Sequence, residues 1–216
     1  MIVRNDQERM ARAHHGLARA YTALGRLILD VPTDELFSSA KSELFAIRED
    51  ISSVLPEAAT EIQALCESMS HPLVDIRADY AGLFSGVKKL PAPPWESCYL
   101  SGKRQVCTEI TESVRLAYLE ACLCQDSSDT QPDDHIGLEL QFLGAMSKHI
   151  ADLLGAGDFT LAGVTSAQRN DFVTQHLSKW GTAFCSDLEK AAATEFYRVL
   201  ARVVAALIRY ELDENV

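Results

Sequence analysis

Residues Gln131 to Phe142 read QPDDHIGLELQF, and the fold class turns on this stretch. Pro132 lacks a backbone N–H and ends whatever precedes it, while Asp133 or Asp134 can accept hydrogen bonds from the free N–H groups of a helix's first turn. Apolar residues then recur at Ile136, Leu140, Leu143 and Ile150, with Phe142, Met146 and Leu153 alongside, at helical spacing. One segment thus carries a helix stop, a cap and a core helix expected over 133–154. The proline, the aspartates and the stripe have structural readings. His135 has none.

The same period runs outward in both directions. Upstream it predicts helices from Gln7 to Asp30, Asp34 to Leu55 and Glu57 to Met69, with Pro32, Pro56 and His71-Pro72 marking the breaks. Leu73, Ile76, Tyr80, Leu83 and Phe84 form a further stripe, and Lys103 to Gln125 is expected to be helical. Downstream, GAGDFTLAGV is expected to break the chain before a segment capped by Ser166. A last helix is predicted over Leu188 to Leu212. Strand alternation competes nowhere, so the expectation is all-α, a single compact multi-helix bundle. Its organisation is an N-terminal helical part (1–125), a polar hinge loop (126–132) and a C-terminal helical part (133–216).

LPAPPWESCYLSG (Leu90 to Gly102) is the conspicuous loop. Pro91, Pro93 and Pro94 disfavour helix and stiffen it into an extended conformation. Trp95 and Tyr99 place two amphipathic rings there, which suit either a contact surface or a loop pinned to the core by Trp95.

The bulk numbers exclude more than they identify. A chain of 216 residues, 47% hydrophobic, can bury a sizeable core, and the lack of an apolar run of about 18 residues argues against a membrane span. The N-terminus lacks a secretory pattern and paired arginines, so a cytoplasmic protein is expected. A formal charge of −11, from 31 acidic and 20 basic residues, argues against nucleic acid and permits a basic partner or ordinary solubility charge. Cys66, Cys98, Cys107, Cys122, Cys124 and Cys185 form no disulfide framework and read as buried free thiols. Cys122 and Cys124, two apart on a helix, would point away from each other. His14 and His15 read as surface or boundary residues. No phosphate loop, dinucleotide fingerprint, HEXXH, zinc pair or glycine-flanked serine is present, so neither enzyme activity, metal nor cofactor is expected.

Three blocks together resemble a known family. The Pro-x-Asp-His-x-x-x-Glu-Leu stretch at Pro132 to Leu140 is similar to the hallmark of the TorD/DmsD chaperones, relatives of the NarJ group. DYAGLFSGVKKLPAPPWESCYL (Asp79 to Leu100) and HLSKWGTAFCSDLEKAAATEFYRVLA (His176 to Ala201) agree in order and spacing. The proline loop and the C-terminal block resemble the dimethyl sulfoxide reductase (DmsD) branch. The resemblance implies an all-helical, non-catalytic cytoplasmic protein. It would bind the twin-arginine signal peptide, and the apo-form, of a molybdopterin-containing oxidoreductase of the DMSO/TMAO reductase type, delaying export until the cofactor is inserted. It would be a monomer or a domain-swapped dimer. A NarJ-like factor for a non-exported subunit is the alternative, and a nucleotide hydrolase a third reading that no phosphate loop supports.

Mapped onto this chain, the implied peptide-binding residues are Tyr80, Leu83 and Phe84 on one helix, Pro94 and Trp95 in the proline loop, and Pro132, Asp134 and His135 at the hinge. Tyr80 stands where close relatives carry tryptophan, and Gln131 replaces the usual glutamate before the proline. A groove for such a peptide needs apolar walls and an acidic end, for which Asp133, Asp134, Glu139, Asp126 and Asp129 are candidates. His135 is expected either to contact peptide, tuned by protonation near neutral pH, or to lock the hinge by bonding the loop backbone.

Overall fold

A computed structural model describes residues 2–52, 55–85, 89–102, 105–123 and 131–214. The chain runs through α1 (Ile2–Leu29), α2 (Asp34–Ser52), α3 (Pro56–Ser68), α4 (Leu73–Phe84), α5 (Glu96–Leu100), α6 (Glu109–Glu120), α7 (Ile136–Ala156), α8 (Phe159–Phe172), a π-helical turn (Val173–Leu177), α9 (Ser178–Ala191) and α10 (Glu195–Glu214). No strand occurs among the described residues, and the all-α expectation holds.

The tightest packing is between α1 and α7, and it depends on missing side chains. A Cβ at Gly25 would lie 2.5 Å from the Gly137 carbonyl oxygen, and one at Gly144 would lie 2.7 Å from Thr22 Oγ1. The two backbones therefore touch where a larger residue would hold them apart. On this pair α2 packs along α1, α3 bridges α2 and α10, and α9 pairs with α10. Tyr21, Leu24, Leu140, Leu143, Trp180, Phe184, Phe196 and Tyr197 meet in one buried core. A buried ion pair ties the far side together: Arg169 forks onto both Glu211 oxygens and reaches Ser147 Oγ at 2.9 Å, while Tyr21 donates to Glu211 at 2.6 Å.

Several boundaries differ from the sequence-based expectation, each for a local reason. The expected break through residues 155–164 is confined to Gly157 and Asp158. Gly157 ends α7 in the left-handed region at φ 80°, and Asp158, not Ser166, caps α8 by accepting from Leu161 N at 3.0 Å. Exposed Phe159, Leu161 and Val164 blur that helix's apolar stripe, which is why periodicity passes it over. α6 is shorter than expected because Thr108 caps it, with Thr111 completing a capping box. Cys107 and Cys122 both lie in the left-handed region at φ 57°, outside the helix, so the helical geometry assumed for Cys122 and Cys124 does not apply; Cys124 itself lies outside the described residues. Cys107 and Cys122 are exposed, whereas Cys66, Cys98 and Cys185 are buried as expected. The final helix starts at Glu195 rather than Leu188, because Asp79 of α4 accepts from Ala193 N and Thr194 N and holds a turn there. The proline loop is extended only as far as Trp95, after which α5 adds one helical turn.

Candidate peptide-binding site

Asp134 and His135 sit at the meeting of two helix N-termini. His135, rather than Asp133 or Asp134, is the N-cap of α7: its Nδ1 accepts from Gly137 N at 3.0 Å, and its carbonyl oxygen accepts from Leu138 N and Glu139 N. The remaining first-turn donor, Ile136 N, bonds the Pro94 oxygen at 2.8 Å. Asp134 serves α5 in the same way, its carbonyl oxygen taking Glu96 N at 2.9 Å and its Oδ2 taking Ser97 N at 2.9 Å. Free donors at both helix starts are thereby satisfied. The same bonds form an antiparallel bridge between Trp95 and His135, whose rings meet edge to face at 5.9 Å. Asp134 and Ile136, on either side of His135, thus fasten the proline loop to the start of α7. Burial pulls its imidazole down to about 3, so it stays neutral through the physiological range, contrary to the expectation of titration near neutral pH.

Beneath the bridge lies a buried acidic cluster. Glu96, Asp134 and Glu139 are almost wholly enclosed, and the π-turn brings His176 Nδ1 to 3.0 Å from Glu96 Oε2. Trp180 Nε1 donates to Glu139 Oε2 at 3.3 Å. Burial, together with the neighbouring Glu96 and Asp134 charges, raises the Glu139 carboxyl well above the usual carboxylate range and favours its neutral form. Trp95 Nε1, Ser97 Oγ, Asp134 Oδ1 and Glu139 Oε1 are buried with no hydrogen-bond partner among the described residues. Asp133 is also buried and engages Arg115 Nε at 2.9 Å. Of the acidic groups expected at the peptide site, Asp133 is therefore neutralised by Arg115 and Glu139 is enclosed, while Asp126 and Asp129 lie outside the described residues.

On α4, Tyr80 is half-buried and donates through its hydroxyl to the Leu29 oxygen at 2.9 Å, with Phe84 packed against it at 5.3 Å between ring centroids. Leu29 also lies against Gly137, where an added Cβ would approach Leu29 Cβ to 3.0 Å. The C-terminus of α1 is therefore the point on which the α4 aromatics and the Asp134-His135 turn converge. Leu83 and Pro94 are buried in the fold, and Trp95 is half-buried. Pro132 stands apart, half-buried beside a smaller cleft of about 340 Å³ with Thr108 and Arg115.

A larger cleft of about 730 Å³ opens on the other side of α4. Leu83 and Pro91 supply apolar walls, and Asp75, Asp79 and Glu195 supply carboxylates, of which Glu195 pairs with Arg198 and Arg202 beside the cleft. Sequence reasoning missed these acids. Asp75 and Asp79 are visible as an i, i+4 pair on α4, but Glu195 joins them only through the tertiary turn that Asp79 itself caps. Among the described residues no cluster of His, Cys, Asp and Glu side chains is arranged to hold a metal ion.

Comparison with known proteins agrees with this architecture. Residues 48–186 match the family described as nitrate reductase delta subunit. The chain is 24% identical over 143 residues to a Haemophilus influenzae protein described as a Tat proofreading chaperone, DmsD, covering 66% of this chain and 63% of the relative. That is just under two thirds of the relative's length. Over 190 residues it is 25% identical to the Actinobacillus succinogenes chaperone protein TorD, covering 86% and 89% of the two chains. A crystal structure of a redox enzyme maturation protein from Archaeoglobus fulgidus superposes with a TM-score of 0.58 at 19% identity, over 88% of this chain and 93% of that one, and shows the shared fold. The Haemophilus and Actinobacillus relatives are named as chaperones, not as enzymes. With nearly two thirds of its length matched by the family model, the chain belongs to the nitrate reductase delta subunit family, the group of TorD, DmsD and NarJ chaperones.

Proposed function

We propose that this protein is a cytoplasmic chaperone that binds the twin-arginine signal peptide of a molybdopterin-containing oxidoreductase and delays its export until the cofactor is in place. The observation that carries the reading is the cleft beside α4, where Leu83 and Pro91 adjoin Asp75, Asp79 and Glu195; Glu195 pairs there with Arg198 at 3.5 Å and Arg202 at 3.2 Å, exposed pairs that a cationic peptide can replace. A twin-arginine signal joins a cationic segment to an apolar helix-forming one, and such a cleft offers both kinds of contact. Tyr80 and Phe84, on the side of α4 turned away from the cleft, and Trp95 in the proline loop are half-buried and offer further apolar surface. Pro132, Asp134 and His135 complete the reading as the turn that positions this surface, Asp134 and His135 acting through the two helix N-termini they cap. No helix among the described residues is long and apolar enough to cross a membrane.

Calorimetric titration with twin-arginine leader peptides of molybdoenzymes, at low and high salt, tests the proposal. Micromolar or tighter binding to one leader, weakened by salt and by Asp75→Asn with Glu195→Gln, is expected, because exposed charge pairs are screened within about a Debye length of ~10 Å. Absence of binding to every leader, with capture of the enzyme body retained, would favour the NarJ-like role toward a non-exported subunit.

A further inference from the structure

A second groove, of about 530 Å³, runs between α1, α2 and α7 on the face built by the close α1–α7 contact. Its walls are small and apolar: Ala18 and Ala23 from α1, Ala40 from α2 and Ala145 from α7. The charges around it have the opposite sign to those of the cleft beside α4. Arg19, Arg26 and Lys148 line it against Glu43 alone, in a chain whose formal charge is −11. Each cation is held loosely. Arg19 pairs with Glu43 across the groove, Arg26 with Asp30 and Lys148 with Asp152, and every one of these side chains is more than two-fifths exposed. Pairs so open to water contribute little and exchange readily for another carboxylate.

We propose that this groove docks an amphipathic helix of a partner protein whose apolar stripe is flanked by Asp or Glu. The lining on α1 runs from His15 to Arg26, about 16 Å at ~1.5 Å per residue, which accommodates roughly three turns of a helix laid alongside. Arg19 and Arg26 are separated by seven residues, about 10.5 Å along the axis, the same rise as acidic residues at i and i+7 on the incoming helix. The alanine walls let its apolar side chains enter, as in helix-in-groove recognition. The inference is independent of the signal-peptide reading, because the groove shares no lining residue with the cleft beside α4 and selects the opposite charge.

Two fluorescent synthetic helices with the same Leu/Ala stripe test it, one carrying Glu and the other Lys at flanking positions i and i+7, titrated against the full chain by anisotropy. The Glu helix is expected to bind at least about fivefold tighter at low salt, the effect of two exposed charge pairs, and high salt should erase the preference. Arg19→Glu with Arg26→Glu, both surface changes, should reverse the preference, and Ala145→Trp should block both helices while the circular dichroism spectrum is retained. Equal affinity for the two helices, preference for Lys, or no binding at millimolar peptide would overturn the proposal. So would unchanged binding in Ala145→Trp, or binding of dodecanoate in place of either helix, which would make the groove a small-ligand site.

Discussion

Replacing His135 with asparagine separates its two structural attributes, cap and titratable group. The imidazole accepts from Gly137 N only while Nδ1 carries no proton, and burial holds it in that form down to about pH 3 against an ordinary value near 6.5. The unfolded chain therefore takes up a proton, as pH falls between these values, that the folded chain refuses. Stability attributable to His135 is fully present above about pH 6.5 and is progressively lost below it. At about pH 5 the gap of ~1.5 pH units corresponds to about 2 kcal/mol. Asparagine is among the best N-caps, so its amide oxygen can take the Gly137 N–H while contributing no titration. Urea unfolding near neutral pH and near pH 5 should show wild type losing about 2 kcal/mol more than His135→Asn over that interval. His14, which burial and the nearby Arg169 lower to about 4, is present in both proteins and cancels. His135→Ala, which lacks the cap, should be about 1 kcal/mol less stable than His135→Asn near neutral pH. Parallel stability curves for wild type and His135→Asn would refute the reasoning, since they would mean the imidazole titrates alike in both states.

Two further outcomes follow from the packing. Arg169→Met removes the two-bond ion pair to the enclosed Glu211 carboxylate and should cost about 3–5 kcal/mol in chemical denaturation. Pairing it with Glu211→Leu should restore most of that loss, because the carboxylate that Arg169 compensated is removed with it. Gly25→Ala drives a Cβ into the Gly137 carbonyl and should destabilise by about 1–3 kcal/mol. Gly163→Ala, in α8 with nothing within 4 Å of the new Cβ, should stabilise by up to about 1 kcal/mol; thermal unfolding distinguishes the two directions.

The helices, their approximate order and the all-α class follow from local rules, because a period of 3.6 and the positions of Pro32, Pro56 and Pro132 depend only on neighbours along the chain. The Asp-His turn was legible too as a helix start, but its bonds to the proline loop were not, because they join groups about forty residues apart. The assignment of the cap was not. Asp133 and Asp134 are stronger capping residues in isolation than His135, but Arg115 claims the first and the start of α5 the second, leaving the imidazole to α7. The late start of α10 has the same origin, since the carboxylate that holds its turn comes from Asp79, more than a hundred residues earlier. Burial likewise reassigned the charges: Glu139 and Asp133 look available along the chain, whereas the fold encloses both and leaves Asp75 and Glu195 to line the open cleft. The sequence by itself determined the helical class and the approximate course of most helices, since these depend on torsional preference and hydrophobic period within a few residues. Only the tertiary structure decided which donors each acid satisfies and which carboxylates stay charged, because both depend on solvent exclusion and on groups brought together from distant parts of the chain.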